Sequence, residues 1–369
     1  MMVAIRSAAL ALLGAALLAL PARAAEDPLS SLKKGTPALQ SAGPLAFGPE
    51  GILFVGDTKG AAVFAIDTGD RTGKTEAGEL KVDEINEKIA AMLGTKASQI
   101  LINDLAVNPA SGKAYLSVSR GKGPDAAPVI IRVSCDGKLE ALNLENVPYA
   151  KADLPSPPDA QAQARGMPLR NMAITDMAYV DGRVFVAGLS NEEFSSRLLA
   201  IPFPFGPTPA ATSVEIYHGS HGRLETKSPV RTFTTYKING ADYLMAAYTC
   251  TPLVKLPVSD LKPGAHIKGT TVAELGNRNN PLDMIVYRKD GKDYLLLANS
   301  SRGVMKITTD GIDRAEAITK PIPGTAGQKY ETIASLKGVL QLDALDPGHA
   351  LILVQQDGGA QDLETVALP

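Results

Sequence analysis

Six tight-turn glycines constrain this chain more than any other feature. Gly51, Gly112, Gly182, Gly240, Gly291 and Gly348 each close a turn after a β-rich run, and each is followed by an apolar run, a polar loop and a further strand-like segment. They recur at intervals of 61, 70, 58, 51 and 57 residues, about 59 on average. Self-similarity at such a period marks a repeat architecture. Asp181-Gly182, Asn239-Gly240 and Asp290-Gly291 are pairs that accept φ > 0, as two-residue hairpin turns require. Pro49 to Gly51, Pro109 to Gly112 and Asp346 to Gly348 are longer corners of the same kind. Each unit is therefore a small antiparallel sheet that cannot bury both faces alone. Stacking such sheets radially about an axis solves that problem and leaves only short edges. The expectation is an all-β chain folded as one six-bladed β-propeller.

Three details refine it. One helix is expected over residues 82–94, where Ile85, Ile89 and Leu93 repeat at a spacing of four. The last repeat holds only three strands, and Pro37 to Ala42 is expected to supply the fourth and close the ring. Lys151 to Pro168, rich in proline, alanine and glutamine, reads as a long surface loop. Cys135 and Cys250 fall two repeats apart, an arrangement that disfavours a disulfide, and no Cys-x-x-Cys-His motif for covalent haem is present.

Residues 1–24 read as a signal peptide: Arg6, an apolar run from Ala8 to Leu20, then Pro21 and the small-x-small site Ala22-Arg23-Ala24. Residues 25–369 would form the single propeller domain, in the periplasm or secreted, with no membrane insertion after cleavage. Hydrophobic residues at 45% and charged residues at 21% suit a folded core. Loss of Arg6 and Arg23 takes 37 basic residues to 35, against 39 acidic, a net charge of −4. That balance lacks the concentrated basic face that nucleic acid needs. The expected partner is a small-molecule ligand or a periplasmic protein, and the expected state a monomer.

Over nearly all of the mature chain, the hairpin repeats resemble those of the NHL, YVTN and SMP-30/gluconolactonase-like propellers. The resemblance implies a six-bladed fold and, for the SMP-30-like members, one divalent ion held by a Glu, an Asn and an Asp. Here Pro44-Leu45 stands where the first-repeat acid would be. That departure sets the chain apart from the lactonase pattern.

In a propeller, the loops before the first strand and after the second strand of each blade share one face, and the unusual polar residues concentrate in those loops. Asp104, Asp176 and Asp283 precede the inner strands of three repeats, while Thr232 replaces the acid in the fourth. Aimed at one axis, the three would suit Ca²⁺ or another divalent cation; otherwise each bonds the backbone of its own loop. The segment His218 to Arg231, with His221, Arg223 and Glu225, is either a lid over the channel mouth or a solvated loop between blades. Arg120, Arg231 and Arg302 would form a cationic ring for a carboxylate or phosphate, or pair internally with the three aspartates. Asn171 and Asn280 complete the ligand-binding set, and Cys250 reads as a small buried hydrophobe. No Ser-His-Asp order or nucleophile elbow is present. The reading is thus a non-catalytic binding propeller that works through its polar face. The alternatives are a divalent-metal-dependent hydrolase or lactonase using Asp104, Asp176 and Asp283, and an accessory subunit of a periplasmic oxidoreductase.

Overall fold

The computed structural model describes residues 27–73, 79–164, 166–250 and 252–369. The expected leader, residues 1–24, lies outside them. Six small sheets surround one axis, antiparallel but for the parallel pairing of Ser213 to Glu215 with His266–Lys268, with one short two-stranded hairpin besides. Numbered by repeat, blade 1 is built on Leu45–Phe47, Ile52–Asp57 and Ala62–Asp67, and blade 2 on Ile100–Val107, Ala114–Arg120, Ala127–Val133 and Leu139–Ala141. Blades 3, 4, 5 and 6 begin with the inner strands Asp176–Val180, Val230–Ile238, Pro281–Lys289 and Val339–Asp346.

The second strand of each blade is flanked by neighbouring sheets on both faces. Its sequence is correspondingly apolar without alternation: Ile52 to Asp57 is buried at every position. Six apolar clusters result, each shared by two adjacent blades. Phe54 and Val63 of blade 1 meet Met177 and Val186 of blade 3, and Leu116 and Ile131 of blade 2 meet Leu351 and Leu353 of blade 6. With the contacts between inner strands, these clusters fix the ring order as 1–3–4–5–6–2 and back to 1.

Blade 2 therefore sits between the last blade and the first, which a sequential reading of the repeats does not anticipate. The strand pairing shows how. After Asp67 the chain crosses to blade 6, where Lys81–Val82 pairs with Leu363 and Glu364 as the fourth strand. It then builds blade 2 whole and returns to blade 1, where Val147–Asp153 pairs with Ala62 to Ile66 as that blade's fourth strand. Both end repeats are finished by strands from inside the chain.

This corrects the expected closure. Pro37 to Ala42 is not a strand; instead Asp57, buried, accepts the amides of Gln40 and Ser41 at 2.8 and 2.9 Å and pins that segment. The expected surface loop at 151–168 likewise begins as strand, because blade 1 needs its edge covered, and ends in the hairpin Gln163–Ala164 with Met167–Pro168.

The helix spans Ile85–Met92, inside the expected range. Ile85 and Ile89 are fully buried in the seam between blades 6 and 2, and the Glu84 amide and the Asn86 side chain bond Asp362 and Gln361 of blade 6. Both cysteines are free.

Candidate functional site

Four inner strands carry an aspartate in one geometry. Asp104 accepts the Leu105 amide on Oδ1 at 2.9 Å and the Leu45 amide of blade 1 on Oδ2 at 2.6 Å. Asp176 does the same with Met177 (2.7 Å) and Phe233 of blade 4 (2.7 Å). Asp283 takes Met284 (2.8 Å) and Leu342 of blade 6 (2.9 Å). Asp343 takes Ala344 (2.7 Å) and Val107 of blade 2 (2.7 Å). Every staple runs in the same sense round the ring, from blade 3 to 4, 5 to 6, 6 to 2 and 2 to 1. Blades 4 and 1, with Thr232 and Pro44-Leu45 at that position, carry none.

These acids lie around the central channel and feel one another. Burial, then the negative charge of Asp176, pushes the Asp104 carboxyl well above the usual range, and burial, then Asp104 and Asp176, does so for Asp283. Burial lifts Asp176 to about 7 and Asp343 to about 6. Asp343 escaped the sequence reading although Leu342-Asp343-Ala344 repeats the apolar-flanked pattern of the other three.

Arg120, Arg231 and Arg302 do not form ion pairs with these aspartates among the described residues; each belongs to a different locality. Arg120 is exposed at the end of a blade 2 strand, and Asn171 is exposed between blades 1 and 3. Arg231 is half-buried at a bulge in the inner strand of blade 4, its Nε without a partner. Arg302 lies flat on Gly276, where an added Cβ would fall 2.2 Å from Nη2, and donates from Nη2 to the Asn277 carbonyl at 3.2 Å. Asn280 bonds Ser300 on the same blade 5 loops.

Two concave or convergent places emerge on the loop face. The first is a cleft of about 620 Å³ between blades 5 and 6, lined among others by Ser300, Ser301, Arg302, Lys337, Gln356 and Asp357. Asn299, buried, shapes its floor by bonding Asn279 and the amides of Ser301 and Arg302. Lys337 was not singled out in the sequence, because nothing local distinguishes it from an ordinary loop residue, whereas Gln356 and Asp357 stood among the polar residues after the second strands.

The second lies at the seam of blades 3 and 4, toward the rim. There the structure does bring together His221, Arg223 and Glu225, joined by His218, Ser228 and Cys250. Glu225 accepts from His218 Nδ1 (3.0 Å), His221 Nδ1 (2.6 Å), Ser228 (2.7 Å) and Arg223 Nε (3.4 Å). Burial alone would raise its carboxyl, but the bonds from the two imidazoles and Ser228 outweigh that and hold it far below its usual range. Glu274, fully buried nearby, accepts the Gly219 amide at 2.6 Å and the Ser220 hydroxyl at 3.1 Å, and its burial raises its carboxyl. Among the described residues, the one group of three or more potential metal ligands whose atoms lie within 4.8 Å of one another is His218, His221 and Cys250.

No family model and no curated protein sequence matches the chain. Solved structures similar to it include a proposed oxidoreductase (glucose dehydrogenase) from Thermus thermophilus, at 12% identity over 91% of this chain and 99% of that one, with a TM-score of 0.37. The PQQ-bound aldose sugar dehydrogenase from Streptomyces coelicolor gives 12% identity over 91% and 96%, with a TM-score of 0.32. The extracellular region of plexin A4 gives 8% over 92% and 40%, with a TM-score of 0.40. Likeness at this level transfers no activity. The NHL or SMP-30 affiliation is not established by it, and what stands is the architecture shown by the strand pairing: this chain is a six-bladed β-propeller with one helix among its described residues.

Proposed function

We propose that the protein is an exported, non-catalytic binding propeller that holds a small anionic, polar ligand in the cleft between blades 5 and 6. One observation carries the reading: Arg302 and Lys337 both line this cleft, and among the described residues neither is ion-paired. Arg302 is fixed by Asn277 and Gly276, yet its buried Nε has no acceptor. A guanidinium fixed in this way favours a carboxylate or phosphate, which two parallel N–H groups can grip. The hydroxyls of Ser300 and Ser301 and the Gln356 amide would suit the polar remainder of the ligand. The leader-like N-terminus supports action outside the cytoplasm, and no helix among the described residues is long and apolar enough to cross a membrane.

Calorimetric titration against sugar acids, sugar phosphates and their neutral parent sugars tests this. The acids or phosphates are expected to bind and the neutral sugars not. Arg302→Ala and Lys337→Ala should each weaken binding about tenfold, the order expected when one partner of a charge-assisted bond is lost. Equal binding of the neutral sugars, or metal-dependent turnover of a lactone or sugar, would overturn the reading.

A further inference from the structure

We propose that His218, His221 and Cys250 form a binding site for one borderline-to-soft transition-metal ion, copper or zinc, on the outer seam of blades 3 and 4. The site is separate from the cleft, and its test does not depend on the ligand proposed there.

The local fold builds it. The outer strand of blade 3, Thr212–His218, runs into a short turn, and Gly222, at φ 64, reverses the chain. Arg223–Glu225 then pairs back on Ile216 to His218. Glu225 opposes Ile216, so its side chain stands on the same face as that of His218, two residues along. From there its two carboxylate oxygens reach the Nδ1 atoms of both histidines.

That contact decides the tautomers. A carboxylate only accepts, so each Nδ1 must carry the proton. Each neutral ring then presents a lone pair on Nε2. His218 is 2% exposed, and its Nε2 has no hydrogen-bond partner. A buried acceptor without a partner requires an explanation, and a metal ion supplies one. Carboxylate-anchored histidines are the usual outer support of metal-bound imidazoles, fixing ring orientation and raising basicity.

The third donor comes from a different blade. Cys250 follows the strand Ala241–Tyr248 and takes φ 63, a left-handed conformation unusual for a cysteine. Its amide is held by the Asn279 carbonyl at 2.9 Å. The backbone thus keeps the sulfur beside the two rings, which are 3.9 Å apart between centroids. Two imidazoles and one thiolate suit copper or zinc and not Ca²⁺, which takes oxygen. Three protein donors leave a further coordination position open.

The test uses mature protein without a polyhistidine tag, stripped with chelator and titrated separately with Zn²⁺, Cu²⁺ and, as a spectroscopic probe, Co²⁺. One equivalent is expected to bind, with thiolate-to-metal charge-transfer absorption for Co²⁺ or Cu²⁺. Competition between zinc and copper, with the metal content as isolated, tells which ion it holds. Because His218 is in the core, the informative variants are the half-exposed His221→Ala and the turn variant Cys250→Ser. Each is expected to weaken binding at least tenfold, and Cys250→Ser to abolish the charge-transfer band. Glu225→Gln should weaken binding about tenfold while keeping the stoichiometry. His349→Ala, at a surface histidine bonded to Asp346, should change nothing. The proposal is overturned if the wild-type protein binds none of these ions more tightly than a His221→Ala/Cys250→Ser double variant, or if the band survives Cys250→Ser.

Discussion

Replacing Asp70 by alanine is expected to destabilise the protein by about 3 kcal/mol, in the range for breaking a buried charge network from one side. Asp70 is 5% exposed, at the corner after the third strand of blade 1. Its carboxylate accepts from Lys113 Nζ and Ser111 Oγ, both at 2.7 Å, and from the Tyr115 hydroxyl at 3.0 Å. The Asn108 side chain donates to its backbone carbonyl at 2.7 Å. All four donors belong to the first hairpin of blade 2, so one residue fastens that hairpin to blade 1. Burial would raise this carboxyl, but the bonds from Lys113, Ser111 and Tyr115 bring it below the usual range. Its contribution is therefore present above pH 3.8 and lost as pH falls further. Truncation would leave an ammonium and two hydroxyls in a closed corner without their acceptor. Gly51 belongs to the same corner: at φ 68, any Cβ would lie 2.4 Å from the Asp70 carbonyl oxygen. Denaturant midpoints for Asp70→Ala and Asp70→Asn measure the effect, with asparagine expected in between because it keeps one acceptor. A loss under about 1 kcal/mol for alanine would show that water replaces the network at no cost.

Gly51 also shows why the fold was legible in the sequence. Turn glycines and unbroken apolar second strands are local signals, and both follow from backbone sterics and two-sided burial. The ring order was not legible, because Lys81–Val82 is two residues long and nothing in it names blade 6 as its partner. Val147–Asp153 hid for a related reason: an outer strand, flanked only over Val147 to Tyr149 by Lys33–Gly35, leaves Lys151 and Asp153 exposed and so reads like loop. At the site, the polar loops could be set apart from the plain turns, but their distance from the axis was not readable. His221, Arg223 and Glu225 were grouped with the channel and lie at the rim, because Glu225 draws both rings down beside it. Cys250 gave no signal beyond its apolar strand; its relation to the histidines exists only once blades 3 and 4 are packed.

Lowering the pH from about 8 to about 5.5 is expected to stabilise the protein, by about 1–2 kcal/mol for each aspartate of the channel that takes up a proton. The sign follows from where these carboxyls titrate. Asp176, lifted to about 7, and Asp343, lifted to about 6, start from 3.8, and Asp104 and Asp283 are raised further by burial and by their neighbours' charge. Between 3.8 and those values the folded chain binds protons that the unfolded chain has released. Stability is therefore complete below 3.8 as far as these groups are concerned, and declines as pH rises through the folded values. Moving a pKa by one corresponds to about 1.4 kcal/mol; water in the channel screens these half-buried side chains, which is why the smaller figure is expected. Asp70 opposes the trend only below pH 3.8, so the optimum falls on the mildly acidic side. Melting temperatures from mildly acidic to mildly alkaline pH provide the measurement, with Asp343→Asn as the variant. Asparagine keeps one acceptor but turns an amide N–H₂ toward the Val107 or Ala344 amide, so it should be less stable than the wild type at the acidic end and show a shallower slope. A wild type at least as stable at the alkaline end as at the acidic end would refute the account. A cation held among these acids would reveal itself in the same experiment, since Ca²⁺ at alkaline pH would then raise the melting temperature and flatten the slope. Four carboxylates persist here despite mutual repulsion because no other side chain of that length accepts two amides at once, one from its own strand and one from the next blade.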